Sequence, residues 1–331
     1  MNGHWNTDKI LEIARGYQPA SVLTAAAELN VFTVLHRRPM DAESLAGELA
    51  TDLRATTILL DALVGMGLLA KRDAIYSVPA DLAELLTESS PENVLPMVRH
   101  TGACLRRWAQ LTQTVKTGNR PEHVPGIRGQ DGERAAFIGA MHNFSAPVAA
   151  EVVRCLGPLN FEHLLDVGGA SGTWTIEFLK AVPNAAATLF DLPEVIPMAQ
   201  QRISQAGLAE RVTLVAGDFY TDALPAGADL AFLGAIAHQN SRPQNRELFS
   251  KVHAALRDGG LIVIRDVVMD STHTSPPAGA LFAVNMLVGT AEGGTYSFEE
   301  YSDDLEKCGF TDVTLVRRDE FMNSLIRAKK R

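Results

Sequence analysis

Two hydrophobic periods divide the chain, and the change falls near residue 160. Up to about Val153, apolar residues recur every three or four positions, as in "ILEIARGYQPASVLTAAAELNVFTVL" (10–35); that spacing predicts helices. "MDAESLAGELATDLRATTILLDALVGMGLLAKRDAIYSV" (40–78) predicts a helix, a turn, a second helix over Asp52–Leu69 and a short hairpin around Lys71–Ala74, the order of a winged helix. "NRPEHVPGIRGQDGERA" (119–135) mixes Pro, Gly and charge and reads as a loop, and "AAFIGAMHNFSAPVAAEVVRCL" after it is helical again.

From His163 the period changes to short apolar runs alternating with amphipathic ones. "HLLDVGG", "AAATLFDLP", "RVTLVAGDFY", "ADLAFLGAIAH" and "GGLIVIRDVV" read as strands, and "TWTIEFLKAVP", "VIPMAQQRISQAG" and "NRELFSKVHAAL" as helices. Such alternation predicts an α/β fold, a doubly wound and mostly parallel sheet. "CGFTDVTLVRRDEFMNSLIRAKK" adds a strand over Asp312–Arg317 and a last one over Asn323–Ala328; the short turn between them makes the pair an antiparallel hairpin. The expected divisions are a winged-helix-like dimerisation domain (1–100), a helical linker contributing to a substrate pocket (101–157) and a nucleotide-type domain (158–331).

In a parallel sheet, ligands sit beyond the carboxyl ends of the strands. Asp166, Asp191, Asp218, His238 and Asp266 fall one per strand at that rim. The first loop, "DVGGASGTW", places Gly168, Gly169 and Gly172 where a backbone must turn sharply. It fails the G-x-G-x-x-G dinucleotide fingerprint, since Ala170 and Thr173 stand where glycines are required. An acid ahead of the glycines suits a cation and repels a pyrophosphate. Asp191, followed by Leu192, suits a ribose diol; Asp218 suits the amino group of an adenine, with Phe219 to cover the ring. A cationic amino-acid end, a ribose and an adenine together describe S-adenosyl-L-methionine.

Charge and composition narrow the partners. The net charge is −9 over 331 residues, and residues 1–100 carry eight basic against thirteen acidic side chains. The second helix of the winged-helix pattern offers Arg54 against Asp52 and Asp61, whereas phosphate contacts need clustered cations. Nucleic acid and anionic membrane are therefore not expected partners, and self-association through the first domain is. The three widely spaced cysteines, Cys104, Cys155 and Cys308, suit a reducing cytoplasm. The sequence shows no signal-peptide pattern, no bilayer-length apolar run and no metal-ligand spacing.

These residues resemble the plant-type small-molecule O-methyltransferases, a family that includes hydroxyindole, flavonoid and bacterial natural-product enzymes. The resemblance covers nearly the whole chain: the helical first domain, "LLDVGGASGTW", "FDLPEVI", "VAGDFY", the histidine after the fourth strand, "GGLIVIRDVV", "NMLVGTAEGGTYSFEEY" and "LEKCGF". It implies a homodimer and a methyl acceptor of small size. It also implies cofactor contacts from Gly168, Asp191, Asp218 and Phe219, with His238 as general base flanked by Asp266. The chain departs from the family where Gln239 and Asn240 replace the usual Asp-Trp after the histidine, Gly234 replaces a lysine four residues before it, and Tyr296 replaces a glutamate after the Gly-Gly pair.

Methyl transfer needs the acceptor positioned and its proton removed. A phenol with a pKa of about 10 is mostly protonated at neutral pH, and a histidine, ordinarily near 6.5, is a natural base that a carboxylate can orient. Tyr296 is a second acid–base candidate. Met141, Asn285 and Met286, with His142 and Asn143, are candidates for the acceptor pocket, expected between the first-half helices and "LFAVNMLVG". Three other functions compete: a non-methylating reaction on the same scaffold, a winged-helix ligand-sensing regulator, and a nicotinamide dehydrogenase, which the glycine spacing disfavours.

Overall fold

The computed structural model describes residues 4–331. The helical period of the first half becomes α1 (Thr7–Arg15), α2 (Tyr17–Glu28), α3 (Val31–Arg37), α4 (Ala42–Leu49) and α5 (Leu53–Gly65). A hairpin of β1 (Ala70–Arg72) and β2 (Ile75–Ser77) follows, then α6 (Ala80–Leu86), α7 (Leu95–Trp108), α8 (Leu111–Thr117) and α9 (Gly129–Cys155). Asp41 and Asp52 cap α4 and α5, accepting from the backbone N–H groups of Ser44 and Ala55, each at 2.8 Å, which satisfies donors that a first turn leaves unpaired. Helix α5 ends at Gly65 rather than near Leu69 because Gly67 turns left-handed at φ 73°. Tyr76 of β2 pairs with Met40 ahead of α4, and Leu35, Leu45, Leu60, Leu63 and Tyr76 share one core.

The segment expected as a loop over 119–135 turns helical earlier, at Gly129. Glu133 supports this start by accepting from the Gly126 N–H at 2.8 Å and from Arg106 Nη2 at 2.5 Å. Two compact units result, one of residues up to Arg106 plus His123–Asn143, the other of Arg107–Glu122 plus Phe144–Arg331. The stretch 101–157, expected as a single linker, is thus divided between them.

The second unit continues with β3 (His163–Val167), α10 (Thr173–Ala181), β4 (Ala186–Asp191), α11 (Ile196–Gln205), β5 (Val212–Ala216), β6 (Ala228–Gly234), α12 (Arg242–Ala255) and β7 (Leu256–Asp266). It ends with β8 (Val268–Met269), α13 (Pro277–Gly289), β9 (Tyr296–Ser297), α14 (Phe298–Lys307), β10 (Phe310–Arg317) and β11 (Ser324–Lys330). The main sheet has the order β10-β11-β7-β6-β3-β4-β5. Strands β3 to β7 run parallel, while β11 is antiparallel to β7 and β10 to β11. Strand order reverses between β3 and β6, the crevice where open α/β sheets bind ligands.

Alternation along the strands sets what each face receives. Leu165 and Val167 of β3 and Ile262 and Ile264 of β7 join the core under α12 and α14. Leu164, Leu189, Phe232 and Val263 join the core under α9, α10 and α11. Parity then sends Asp166 and Arg265 to the α10 side, and Asp266 to the α12 side. No helix among the described residues is long and apolar enough to cross a membrane.

Candidate active site

The glycine loop is laced to the neighbouring strand. Gly168, at φ 69°, donates its N–H to the Phe190 carbonyl at 2.8 Å, and Gly172, at φ 78°, donates to Gly169 at 2.9 Å before α10 begins. A Cβ at Gly168 would lie 2.5 Å from Ile236 Cδ1, and one at Gly169 2.6 Å from Leu189 Cγ, so the loop packs too closely for side chains there. Asp191, at the end of β4, accepts from the Ala170 N–H and the Leu192 N–H, both at 2.7 Å. Its carboxylate is therefore the brace of the loop as well as a group at the rim. Burial pushes its pKa up, against the pull of those two N–H groups. The Leu192 side chain stays exposed beside it.

Asp166 was expected at a strand end facing a ligand; it lies inside β3, 1% exposed under α10, and Oδ2 accepts from the Thr175 hydroxyl at 2.6 Å. Burial, with nearby Asp191 adding repulsion, pushes its carboxyl up to about 7. On the third loop, Asp218 Oδ1 accepts from the Tyr220 N–H at 2.9 Å. Phe219 is half-buried against the core, its ring 4.6 Å from that of Tyr220.

His238 does not end β6 as expected. The strand stops at Gly234, Ala235 turns left-handed at φ 62°, and His238 sits on a short 3-10 turn, Ala237–Gln239. The turn brings the imidazole to the end of β7, where Nδ1 lies 2.7 Å from Asp266 Oδ1 and the His238 N–H donates to Oδ2 at 3.1 Å. The Val267 N–H also donates to Oδ1, at 2.8 Å. Both residues are buried. With Nδ1–H donating to the carboxylate, Nε2 presents its lone pair, and among the described residues it has no hydrogen-bond partner. Phe282 packs edge-on, 4.8 Å from the imidazole. A carboxylate that fixes the tautomer and faces the ring is the arrangement of a general base.

A family model for the O-methyltransferase domain matches residues 108–311, and one for the O-methyltransferase dimerisation domain matches residues 11–89. The chain belongs to the S-adenosylmethionine-dependent O-methyltransferase family. A 3-hydroxy-5-methyl-1-naphthoate 3-O-methyltransferase of Streptomyces sahachiroi is 32% identical over 316 residues, 93% of this chain and 90% of that protein. A tetracenomycin polyketide synthesis 8-O-methyltransferase of Streptomyces glaucescens is 32% identical over 313 residues, 92% and 91% of the two chains. Human N-acetylserotonin methyltransferase, solved in complex with S-adenosylmethionine, superposes with a TM-score of 0.82 at 27% identity, covering 100% of this chain and 99% of that one. This methyltransferase is thus an enzyme whose cofactor is S-adenosylmethionine.

The rim fits that cofactor by its chemistry. Asp191 and Asp218 stand at the ends of two adjacent strands, β4 and β5, and the Phe219 ring follows the second, while Asp166 lies beneath the rim and is held by Thr175. Other expected residues of the methyltransferase are placed differently. The Tyr296 hydroxyl donates to the Asn240 carbonyl, which ties it to the histidine turn, and burial pushes its ionisation up to about 12. Met286 is buried, 7% exposed. Asn285 Oδ1 accepts from Trp108 Nε1 at 2.9 Å. Met141 is half-buried and belongs to the first unit, Asn285 and Met286 to the second. Among the described residues, no cluster of His, Cys, Asp or Glu is built to hold a metal.

Sequence reasoning missed two of the polar residues behind His238, Tyr220 and the buried Asn245, and named the buried Asn240 only as a departure from the family pattern. The one available signal was the pair of amides following a buried run, "AHQNSR".

Proposed function

We propose that the enzyme methylates a phenolic hydroxyl of a small aromatic molecule, with His238 as general base and Asp266 as its orienting carboxylate. The observation that carries this is the buried 2.7 Å contact of His238 Nδ1 with Asp266, which leaves Nε2 for the acceptor's proton. Bound S-adenosylmethionine supplies a methyl carbon already activated by its sulfonium, so the protein need not activate the electrophile. The chain's own work is to hold the cofactor with Asp191 and the Gly168–Gly172 loop, to set Asp218 and Phe219 against the adenine, and to take the hydroxyl proton onto Nε2. His238 Nε2 holds the proton released from the hydroxyl oxygen as that oxygen takes the methyl group, and the electron pair stays on the cofactor's sulfur. Asp266 stabilises the resulting imidazolium by a charge-assisted hydrogen bond. The two Streptomyces relatives, named for hydroxynaphthoate and polyketide methylation, support a flat phenolic acceptor. Incubation with S-adenosylmethionine and 3-hydroxy-5-methyl-1-naphthoate, read by mass spectrometry, should yield equal amounts of O-methylated product and S-adenosylhomocysteine. Consumption of the acceptor without that product would sink the reading.

We further infer a homodimer formed through the first domain. Support comes from the dimerisation-domain match and from exposed apolar groups at the start of the chain, Trp5, Ile10, Ile13 and Tyr17. The helix pair and hairpin of 42–77 have winged-helix order, but the acidic charge of residues 1–100 suits protein contact and not DNA. Free cysteines fit the cytoplasm. Light scattering should give twice the chain mass, and a monomer at micromolar concentration would overturn the inference.

A further inference from the structure

The residues that hold His238 in place reach beyond Asp266. Four backbone carbonyls in and around its turn are answered: Ala235 by Gln239 Nε2 at 3.2 Å, Ala237 by Asn245 Nδ2 at 2.9 Å, His238 by the Gly294 N–H at 2.9 Å, and Asn240 by the Tyr296 hydroxyl. Asn240 is the hub of this arrangement and is fully buried. Its Nδ2 donates to Asn245 Oδ1 at 3.1 Å, and its Oδ1 accepts from the Tyr220 hydroxyl at 2.5 Å. Tyr220 is 52% exposed, so packing alone does not order it. Lys251 Nζ clamps its segment by donating to the carbonyls of Phe219, Tyr220 and Asp222 at 2.8, 2.9 and 3.0 Å. A half-exposed phenol thus reaches a buried amide and joins two parts of the rim: the Asp218–Phe219 edge and the turn that carries the base.

We propose that Tyr220 and Asn240 are positioning residues through which occupancy of the Asp218–Phe219 edge sets the placement of His238. The proposal rests on the reading of His238 as base and of that edge as the adenine side. An adenine against Phe219 restrains the Phe219 and Tyr220 rings, the steadied hydroxyl orients the Asn240 amide, and Asn240 with Asn245 holds the turn. Removing the Tyr220 hydroxyl leaves Asp266, Tyr296 and Gly294 on the turn, so the fold stands while the link is cut. A claim of a link needs a measurement of coupling, not of proximity.

The test uses S-adenosylhomocysteine as the probe and NMR of histidine-labelled protein, with the His238 ring signal assigned by its loss in His238→Ala. In the wild type, saturating probe should displace the His238 ring signal. In Tyr220→Phe, calorimetry should give probe affinity within about threefold of wild type, the displacement should fall to less than half, and kcat should drop about tenfold with KM for S-adenosylmethionine little changed. A full displacement in Tyr220→Phe, or none in the wild type, would overturn the proposal. So would a large loss of probe affinity, which would make Tyr220 a binding residue. The function reading fails separately: unaltered turnover of His238→Ala with the displacement lost in Tyr220→Phe keeps the link and removes the base. Lost turnover in His238→Ala with full displacement in Tyr220→Phe keeps the base and removes the link.

Discussion

Replacing His238 by alanine removes the proposed proton acceptor and leaves the Gly168–Gly172 loop, braced by Asp191 from β4, untouched. The size of the defect follows from the acceptor. At pH 7 a phenol of pKa about 10 is ionised to about one part in a thousand, so an enzyme confined to pre-ionised acceptor should lose about a thousandfold in kcat, inside the usual range for base catalysis. Each unit of pH then restores about tenfold, so the variant's rate should climb about a hundredfold from pH 7 to pH 9 while the wild type gains far less. Asp266→Asn keeps the imidazole but loses the carboxylate 2.7 Å from Nδ1; a hydrogen bond to a charged group contributes about 1.5–3 kcal/mol, so kcat should fall about 10- to 150-fold. Mass-spectrometric rates with 3-hydroxy-5-methyl-1-naphthoate, alongside calorimetry with S-adenosylhomocysteine, measure both effects. Probe affinity should stay within about threefold in either variant, because its contacts come from other strands. Wild-type rates in His238→Ala, or a loss that alkali does not recover, would refute the base assignment.

Three further outcomes follow from the same geometry. Asp191→Ala leaves the Ala170 and Leu192 N–H groups without their acceptor, at about 1–3 kcal/mol each, so S-adenosylmethionine affinity by calorimetry should fall about a hundredfold or more. Asp166 is buried under α10 with its carboxyl raised to about 7; a raised folded-state pKa favours the native state at acid pH and costs stability as pH rises through 7, so Asp166→Asn should raise the melting temperature more at pH 8 than at pH 4. Tyr296→Phe leaves the Asn240 carbonyl unpaired and should lower kcat about tenfold with an unchanged pH profile; an altered profile would return Tyr296 to the proton chemistry.

What was legible in the sequence was what repeats along it. The short apolar runs in "HLLDV" and "LIVIRD", separated by helical runs, mark the sheet, and the acids near strand ends mark its rim. Local dihedrals and long-range bonds were not legible. Ala235 has no reason in its own chemistry to sit at φ 62°; it does so because its N–H donates to the Arg265 carbonyl on β7 at 2.7 Å, and this moves His238 off the strand end. The early start of α9 is supported by Arg106 reaching Glu133, and Arg106 lies outside the 119–135 segment that reads as a loop. The burial of Asp166 was readable from parity along β3 but was masked by its place before a glycine loop. Tyr296 looked catalytic because it is a titratable group in a loop, and its partner, the Asn240 carbonyl, lies 56 positions away.

The departures from the family pattern around His238 become intelligible when neighbouring strands are taken together. Gly234, where the family has a lysine, is paired in register with Arg265 on β7. The Arg265 guanidinium is buried, lies 4.5 Å from the Trp174 ring centre and 5.5 Å from that of Phe144, and donates through Nε and Nη2 to Asn323 Oδ1 at 2.9 and 2.7 Å. A Cβ at Gly234 would come within 2.6 Å of Phe232 and 3.5 Å of Trp174 Cδ1, so a side chain there and the stack of Arg265 on Trp174 compete for the same space. The chain holds its cation one strand over, between aromatic faces that stabilise a desolvated guanidinium. Desolvation still pushes Arg265 down to about 10, which leaves it charged at neutral pH. On the other side of the histidine, Asn240 offers an amide that both donates and accepts, and that capacity lets it bind Asn245 and Tyr220 at once. A tryptophan at that position has a lone N–H donor and cannot take the Tyr220 hydroxyl. Loss of the Asp-Trp pair therefore goes with a different support for the same imidazole, in which Asp266 alone supplies the charge and amides supply the shape.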